Sequence, residues 1–113
     1  YPRRIMEAFE MMQNALPSVK SQQGRRRLDY SGIFRQNNGD FDVANNESRP
    51  TMDQFGEYRK FPHNGQMITM PAHIKIGTGS DDEVARIHFK YDSNTGKYLI
   101  GHCGEHLPTA SGR

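Results

Sequence analysis

The sequence predicts an α+β fold: an N-terminal helix, or two, packed on a small antiparallel sheet that ends in a β-hairpin. Three observations predict it. Near the N-terminus Ile5, Phe9, Met12 and Leu16 recur at spacings of 4, 3 and 4, which is one face of a helix. From Phe61 onward the apolar pattern changes to period two, as half-buried strands require. The last two such runs are separated by Asp92-Ser93-Asn94-Thr95-Gly96, a hairpin loop by composition.

Composition sets the frame. The chain has 113 residues, which reads as a single small domain over 1–113. With glycine counted and tyrosine left out, apolar residues are 44 of 113, fewer than the roughly 45–50% of ordinary globular chains. The core is therefore small, or part of the chain lies outside it. Mean hydropathy is −0.89 and no long apolar run exists, so no membrane span is expected. The single cysteine, Cys103, excludes an intramolecular disulfide framework. No signal or transit peptide pattern is visible. A start at Tyr1 rather than Met fits a fragment, a processed product or a C-terminal domain. The net charge of +2 is unevenly spread: +4 over residues 1–35, −2 over 36–60, and zero over 61–113, which holds all five histidines.

The elements follow in order. Arg3 to Leu16 reads as a helix, with Met6, Ala8, Met11 and Ala15 widening the stripe, Pro2 in the first turn and Pro17 as the stop. Residues 18–30 hold a second short helix or a basic loop, and Arg25, Arg26 and Arg27 are the densest positive charge in the chain. Residues 31–60 are rich in Asn, Asp and Gly and read as a loop-rich or inserted segment. Short strands are conceivable there at Ile33–Arg35 and Asp40–Val43. Gln66–Met70 and Ala72–Ile76 read as strands broken by Pro71, and 77–82 as a turn. Val84–Tyr91 and Lys97–His102 form the closing hairpin.

A five-residue loop would pair Tyr91 with Lys97. Phe89 then faces Leu99 and Ile87 faces Gly101 on one side, packed on the N-terminal helix. The other side gathers Arg86, His88, Lys90, Tyr98 and His102. Alternating polar residues on a half-exposed sheet are ordinarily just solvated. This set, however, holds two imidazoles, two cations and a phenol with no carboxylate, which suits an anionic ligand and phosphate first of all. Histidine can take the proton from a ribose 2′-OH and give one to the 5′-leaving oxygen, while Arg and Lys stabilise the phosphorane charge. His88, His102 and His106 are the candidate acid and base. Arg86 and Lys90 are the candidate phosphate clamp, and Tyr98 a stacking or proton-donating group.

Residues 72–109, AHIKIGTGSDDEVARIHFKYDSNTGKYLIGHCGEHLPT, resemble the C-terminal sheet of the RelE/ParE/HigB-like toxins. Those share a barnase–EndoU–colicin–RelE type of fold with contact-dependent inhibition toxins. The shared pattern is a strand, a Gly turn, the Arg-led strand RIHFKYD, a polar turn and a strand ending in IGHCGEHLP. It covers about a third of the chain. The resemblance implies an RNA-cutting surface at Arg86, His88, Lys90, His102 and His106, action in the cytoplasm, and a cognate antitoxin or immunity protein as partner. The usual first strand before the helices is not evident, and 31–60 is an extra element. Many ParE-like members are not ribonucleases, so fold alone does not fix chemistry.

Other readings compete. His102-Cys103-x-x-His106 with His88 offers four zinc-type ligands, but the spacing matches no standard finger and Gly101 and Gly104 argue against a helix there. No metal site and no cofactor is assigned. Cys103 reads as a small buried thiol, Gly77-x-Gly79 as a turn, and Met6, Met11 and Met12 as core. Arg25–Arg27 would contact nucleic-acid backbone or simply face water, and Tyr30, Phe34 and Phe41 would stack bases or pack locally. Two functions result: a metal-independent endoribonuclease toxin or toxin-like effector domain, and a non-catalytic nucleic-acid- or protein-binding module from a larger protein.

Overall fold

In the computed structural model, which describes residues 2–24, 27–37, 39–77 and 83–110, the chain builds three helices and six strands. Helix α1 (Pro2–Ser21) buries Ala8, Met11, Met12, Ala15 and Val19. It runs through Pro17, the expected stop. Pro17 faces water, so the lost backbone bond is compensated by solvent, and continuing one turn buries Val19 completely.

Helix α2 (Tyr30–Gln36) occupies the stretch where a strand was conceivable. Asp29 caps it, accepting from the Gly32 amide at 3.0 Å, and Tyr30, Ile33 and Phe34 turn inward. A seven-residue helix is too short for periodicity to declare itself, and it forms here because burial of those three side chains rewards it. Strand β1 (Asp42–Ala44) follows, close to the expected strand at 40–43. Helix α3 (Arg49–Phe55) starts at the Ser48 cap, which accepts from the Thr51 amide, and leads into a 3₁₀ turn at Gly56–Arg59. Most of 31–60 is thus built structure.

Strands β2 (Lys60–His63) and β3 (Gln66–Thr69) form a separate hairpin. Asn64 and Gly65 both take positive φ, 51° and 78°, as a two-residue turn matched to strand twist requires. The main sheet has the order β1-β4-β5-β6, with β4 at His73–Gly77, β5 at Glu83–Asp92 and β6 at Lys97–Gly104, each pair antiparallel. The turn expected over 77–82 lies, beyond Gly77, outside the described residues. On one face Ile74, Ile76, Ile87, Phe89 and Tyr91 pack against α1 and α2. The α+β arrangement with a terminal hairpin is as the sequence predicts.

The pairing of β5 with β6 differs by one residue from the expected register. Asp92, not Tyr91, lies opposite Lys97, and Tyr91 lies opposite Tyr98. The cause is local: Asp92 accepts bonds from the amides of Asn94, Thr95 and Gly96 and from the Thr95 hydroxyl, drawing itself in as the first residue of a four-residue turn. Tyr98 therefore joins the helix-covered face and Leu99 leaves it. A bulge then adds Gly101 to β6, so that Ile100 pairs with Phe89 but His102 pairs with His88. Gly101 is required by contact: a Cβ there would collide with the Phe61 ring and come within 2.9 Å of Met70 Sδ. Phe61 belongs to β2, so the small hairpin lies across this bulge and covers the second face of the sheet.

Candidate functional site

The second face carries the polar set. His73 comes from β4, Arg86, His88 and Lys90 from β5, and His102 from β6, all on one face because His73 and His102 lie opposite His88 on its two sides. It was expected to look into solvent. Instead His88 is 0% exposed and Arg86 7%, because the β2–β3 hairpin, the 3₁₀ turn and the 105–110 segment lie over them.

Two residues without a sequence signal complete this buried wall. Arg59 of the 3₁₀ turn is 0% exposed. Its Nε donates to Glu47 Oε2 at 2.7 Å, and its Nη1 donates to the carbonyls of Phe55 and Pro108. The same carboxylate oxygen lies 3.8 Å from Arg86 Nη1 and 4.0 Å from His73 Nδ1. One buried carboxylate thus sits between two guanidiniums. Such a network, once desolvated, demands every partner, since removing one leaves an uncompensated charge.

The imidazoles are neutral donors. His73 Nδ1 donates to the Pro71 carbonyl at 2.8 Å and His88 Nδ1 donates to the Met70 carbonyl at 2.9 Å. A carbonyl only accepts, so the proton is on Nδ1 in both rings. Burial pushes His88 down to about 4 and also lowers His73. The two rings stack at 4.8 Å, and His102 stands edge-on to His88 at 6.0 Å.

Glu47, His73 and His88 each offer a ligand atom, all within 4.8 Å of one another. The surroundings oppose a cation. Glu47 Oε2 already accepts from Arg59, a second guanidinium is beside it, and both rings engage Nδ1 with a backbone carbonyl. The sequence candidate at His88, His102, Cys103 and His106 is divided by the strand itself, since Cys103 pairs with Ile87 and His102 with His88, on opposite faces. Cys103 is exposed rather than a buried thiol.

The remaining expectations separate as follows. Tyr98 does not join His88. Its hydroxyl donates to the Met12 carbonyl at 2.8 Å on the helix-covered face, and burial pushes its pKa up, so it keeps its proton. His102 and His106 are half-buried at the end of the sheet. His102 Nε2 contacts the Glu105 carbonyl and His106 Nδ1 the Leu107 carbonyl. Tyr30 and Phe34 are core aromatics against Phe89, and Phe41 lies under the Arg4 guanidinium at 4.1 Å. Met11 and Met12 are buried and Met6 is exposed. Arg25 and Arg26 lie outside the described residues.

Arg27 is described and exposed, and the structure places it where the sequence gave no hint. Before the start of β4 the amides of Phe89 and Tyr91 donate to the Ala72 carbonyl and the Tyr30 hydroxyl, and a cleft of about 610 Å³ forms beside them. Phe89 and Tyr91 line it, Asn45 and Asn46 stand on one wall, and Arg27 and Lys90 bring the two cations. Asp29 also lines the cleft, but its carboxylate is held by the Asn45 amide and the Gly32 amide, which lower its pKa.

No family model, no curated protein and no solved structure matched the chain when it was compared with each. The site's chemistry therefore stands on its own geometry.

Proposed function

We propose that the chain is a nucleic-acid-binding module that holds single-stranded RNA along the cleft between Arg27 and Lys90. One observation carries this reading: two exposed cations, 63 positions apart in sequence, line the same cleft beside asparagine amides. Fixed cations spaced along an open groove suit consecutive phosphates, and amides suit sugar and base edges. Arg25 and Arg26 adjoin Arg27 in sequence and extend the basic run. RNA ranks before DNA because of the resemblance of residues 72–109 to RNA-cutting domains.

The test is fluorescence anisotropy with a labelled single-stranded oligoribonucleotide in EDTA. Arg27→Ala and Lys90→Ala should each weaken binding and lower the slope of log affinity against log salt by about 1. Binding that is absent, or that both variants keep with an unchanged salt slope, overturns the reading.

Cleavage is the second reading, favoured by His102, half-buried beside His88 on one face of the sheet. It places acid–base work on His102 and His106 with Lys90 on the phosphate. His88, neutral and enclosed, would orient rather than exchange protons with substrate. RNA cut in EDTA by the wild type but not by His102→Ala would establish it.

A further inference from the structure

The β6 edge of the sheet holds a groove that the RNA reading does not use. It lies between α1 and β6, measures about 520 Å³ and shares no lining residue with the Arg27–Lys90 cleft. Its apolar lining comes from Phe9, Met12 and Leu16 of the helix and from Tyr98 and Ile100 of the strand. Ile100 is 44% exposed, although its neighbour across the ladder, Phe89, is fully buried. Helix α1 reaches β6 at Tyr98, whose hydroxyl donates to the Met12 carbonyl, but leaves Ile100 uncovered.

β6 is also the last strand of the sheet, paired only with β5 among the described residues. An unpaired strand edge offers backbone donors and acceptors to any incoming strand. Here that edge borders the apolar groove, so a strand added to it could seat alternate side chains there. The Gly101 bulge interrupts the ladder just past Ile100, which limits such pairing to residues 97–100.

Charge indicates what the added strand carries. The charged residues that line the groove are Lys20 and Lys97, both exposed and neither in an ion pair among the described residues. Asp92, opposite Lys97, directs its carboxylate to the Asn94 amide and the Thr95 hydroxyl of the turn. The groove therefore presents an apolar floor with a positive rim.

We propose that this groove docks an extended segment of a partner protein in which apolar and acidic residues alternate, added as a fifth strand along residues 97–100 of β6. The apolar residues seat against Phe9, Leu16 and Ile100; the acidic ones point to the other face of the strand, as Lys97 does, and meet Lys97, while Lys20 on α1 adds positive charge at the same end of the groove. A second copy of this chain fits less well, because a two-fold pairing of β6 with itself brings no carboxylate to either lysine from the strand.

The experiment is a selection of displayed short random peptides against the purified chain, followed by anisotropy with the enriched peptides. Enriched sequences should alternate apolar with acidic residues. Ile100→Asp should weaken them at least roughly tenfold, the pair Lys20→Glu and Lys97→Glu should do the same, and a central proline in the peptide should abolish binding. All three substituted side chains are exposed, and circular dichroism checks that each variant keeps its fold. The proposal is overturned if no peptide is enriched, or if enriched peptides are basic or tolerate the proline. It is equally overturned if they bind Ile100→Asp unchanged, or if light scattering shows a dimer that Ile100→Asp dissolves. RNA anisotropy on Ile100→Asp should not move, so failure here and failure of the RNA reading are separable.

Discussion

Acid should destabilise this protein through His88 in a way that can be isolated. The ring is fully buried, donates from Nδ1 to the Met70 carbonyl, and has its pKa lowered from 6.5 to about 4. Above pH 6.5 the ring is neutral in both folded and unfolded chains and its contribution is fully present. As pH falls below 6.5 the unfolded chain takes up a proton that the folded chain refuses, so stability drops by about 1.4 kcal/mol per pH unit until pH approaches 4. Over that window the loss from this one group is about 3 kcal/mol, a large part of the 5–15 kcal/mol of an ordinary domain. His73, shifted the same way, adds to the slope. The comparison is urea unfolding of the wild type and His88→Asn at steps between pH 7.5 and about 4.5. The asparagine amide can replace Nδ1 as donor to Met70 but does not titrate. The variant is expected to be less stable at neutral pH and to have the flatter pH profile, the two curves converging by about 3 kcal/mol towards acid. Parallel curves would refute the reasoning, since they would mean that His88 takes its proton in the folded state as readily as in the unfolded one.

Two further outcomes test the layer above the sheet. Glu47→Gln leaves Arg59 and Arg86 beside each other without their shared carboxylate, and unfolding free energy should fall by about 3–5 kcal/mol; adding Arg59→Met should recover part of that, and a loss under about 1 kcal/mol would show that the pair is not desolvated. Gly101→Ala drives a methyl into the Phe61 ring and should cost about 1–3 kcal/mol, with partial recovery on adding Phe61→Ala in a thermal melt.

Much of the fold was legible because its signals are local. The stripe of Ile5, Phe9, Met12 and Leu16 declares α1, and the alternation from Val84 to Tyr91 declares β5. The misreadings have equally local causes. Pro17 reads as a stop because helix rules take no account of the burial that Val19 gains in the next turn. Ile33 and Phe34 read as extended because a helix of seven residues is too short to show a period, and the Asp29 cap is its one local signal. Ser48 with Pro50, and Asn64 with Gly65, were signals in plain view for α3 and the β2–β3 hairpin.

The site was less legible for a different reason. His88 and His102 were placed on one face from a register that was one residue out, and the bulge at Gly101 restored their meeting. Glu47 and Arg59 sit in a polar stretch with no spacing that links them to each other or to β5. Their meeting depends on how the second layer folds back over the sheet, and no local pattern encodes that. The same layer is what turned an expected open wall of histidines into an enclosed one. In sequence Arg27 and Lys90 belong to separate candidate surfaces, and only the fold brings them to one cleft.

The extra residue in β6 has a consequence for how this chain tolerates change in length. Losing Gly101 in frame would close the bulge without exchanging the faces of the strand: Ile100 would stay opposite Phe89, and His102, now its direct neighbour, would stay opposite His88. The end of the last ribbon can therefore shorten by one residue at that point and keep its inward and outward sides. There, omission of the smallest side chain is a milder event than a single methyl added to it, which meets the Phe61 ring.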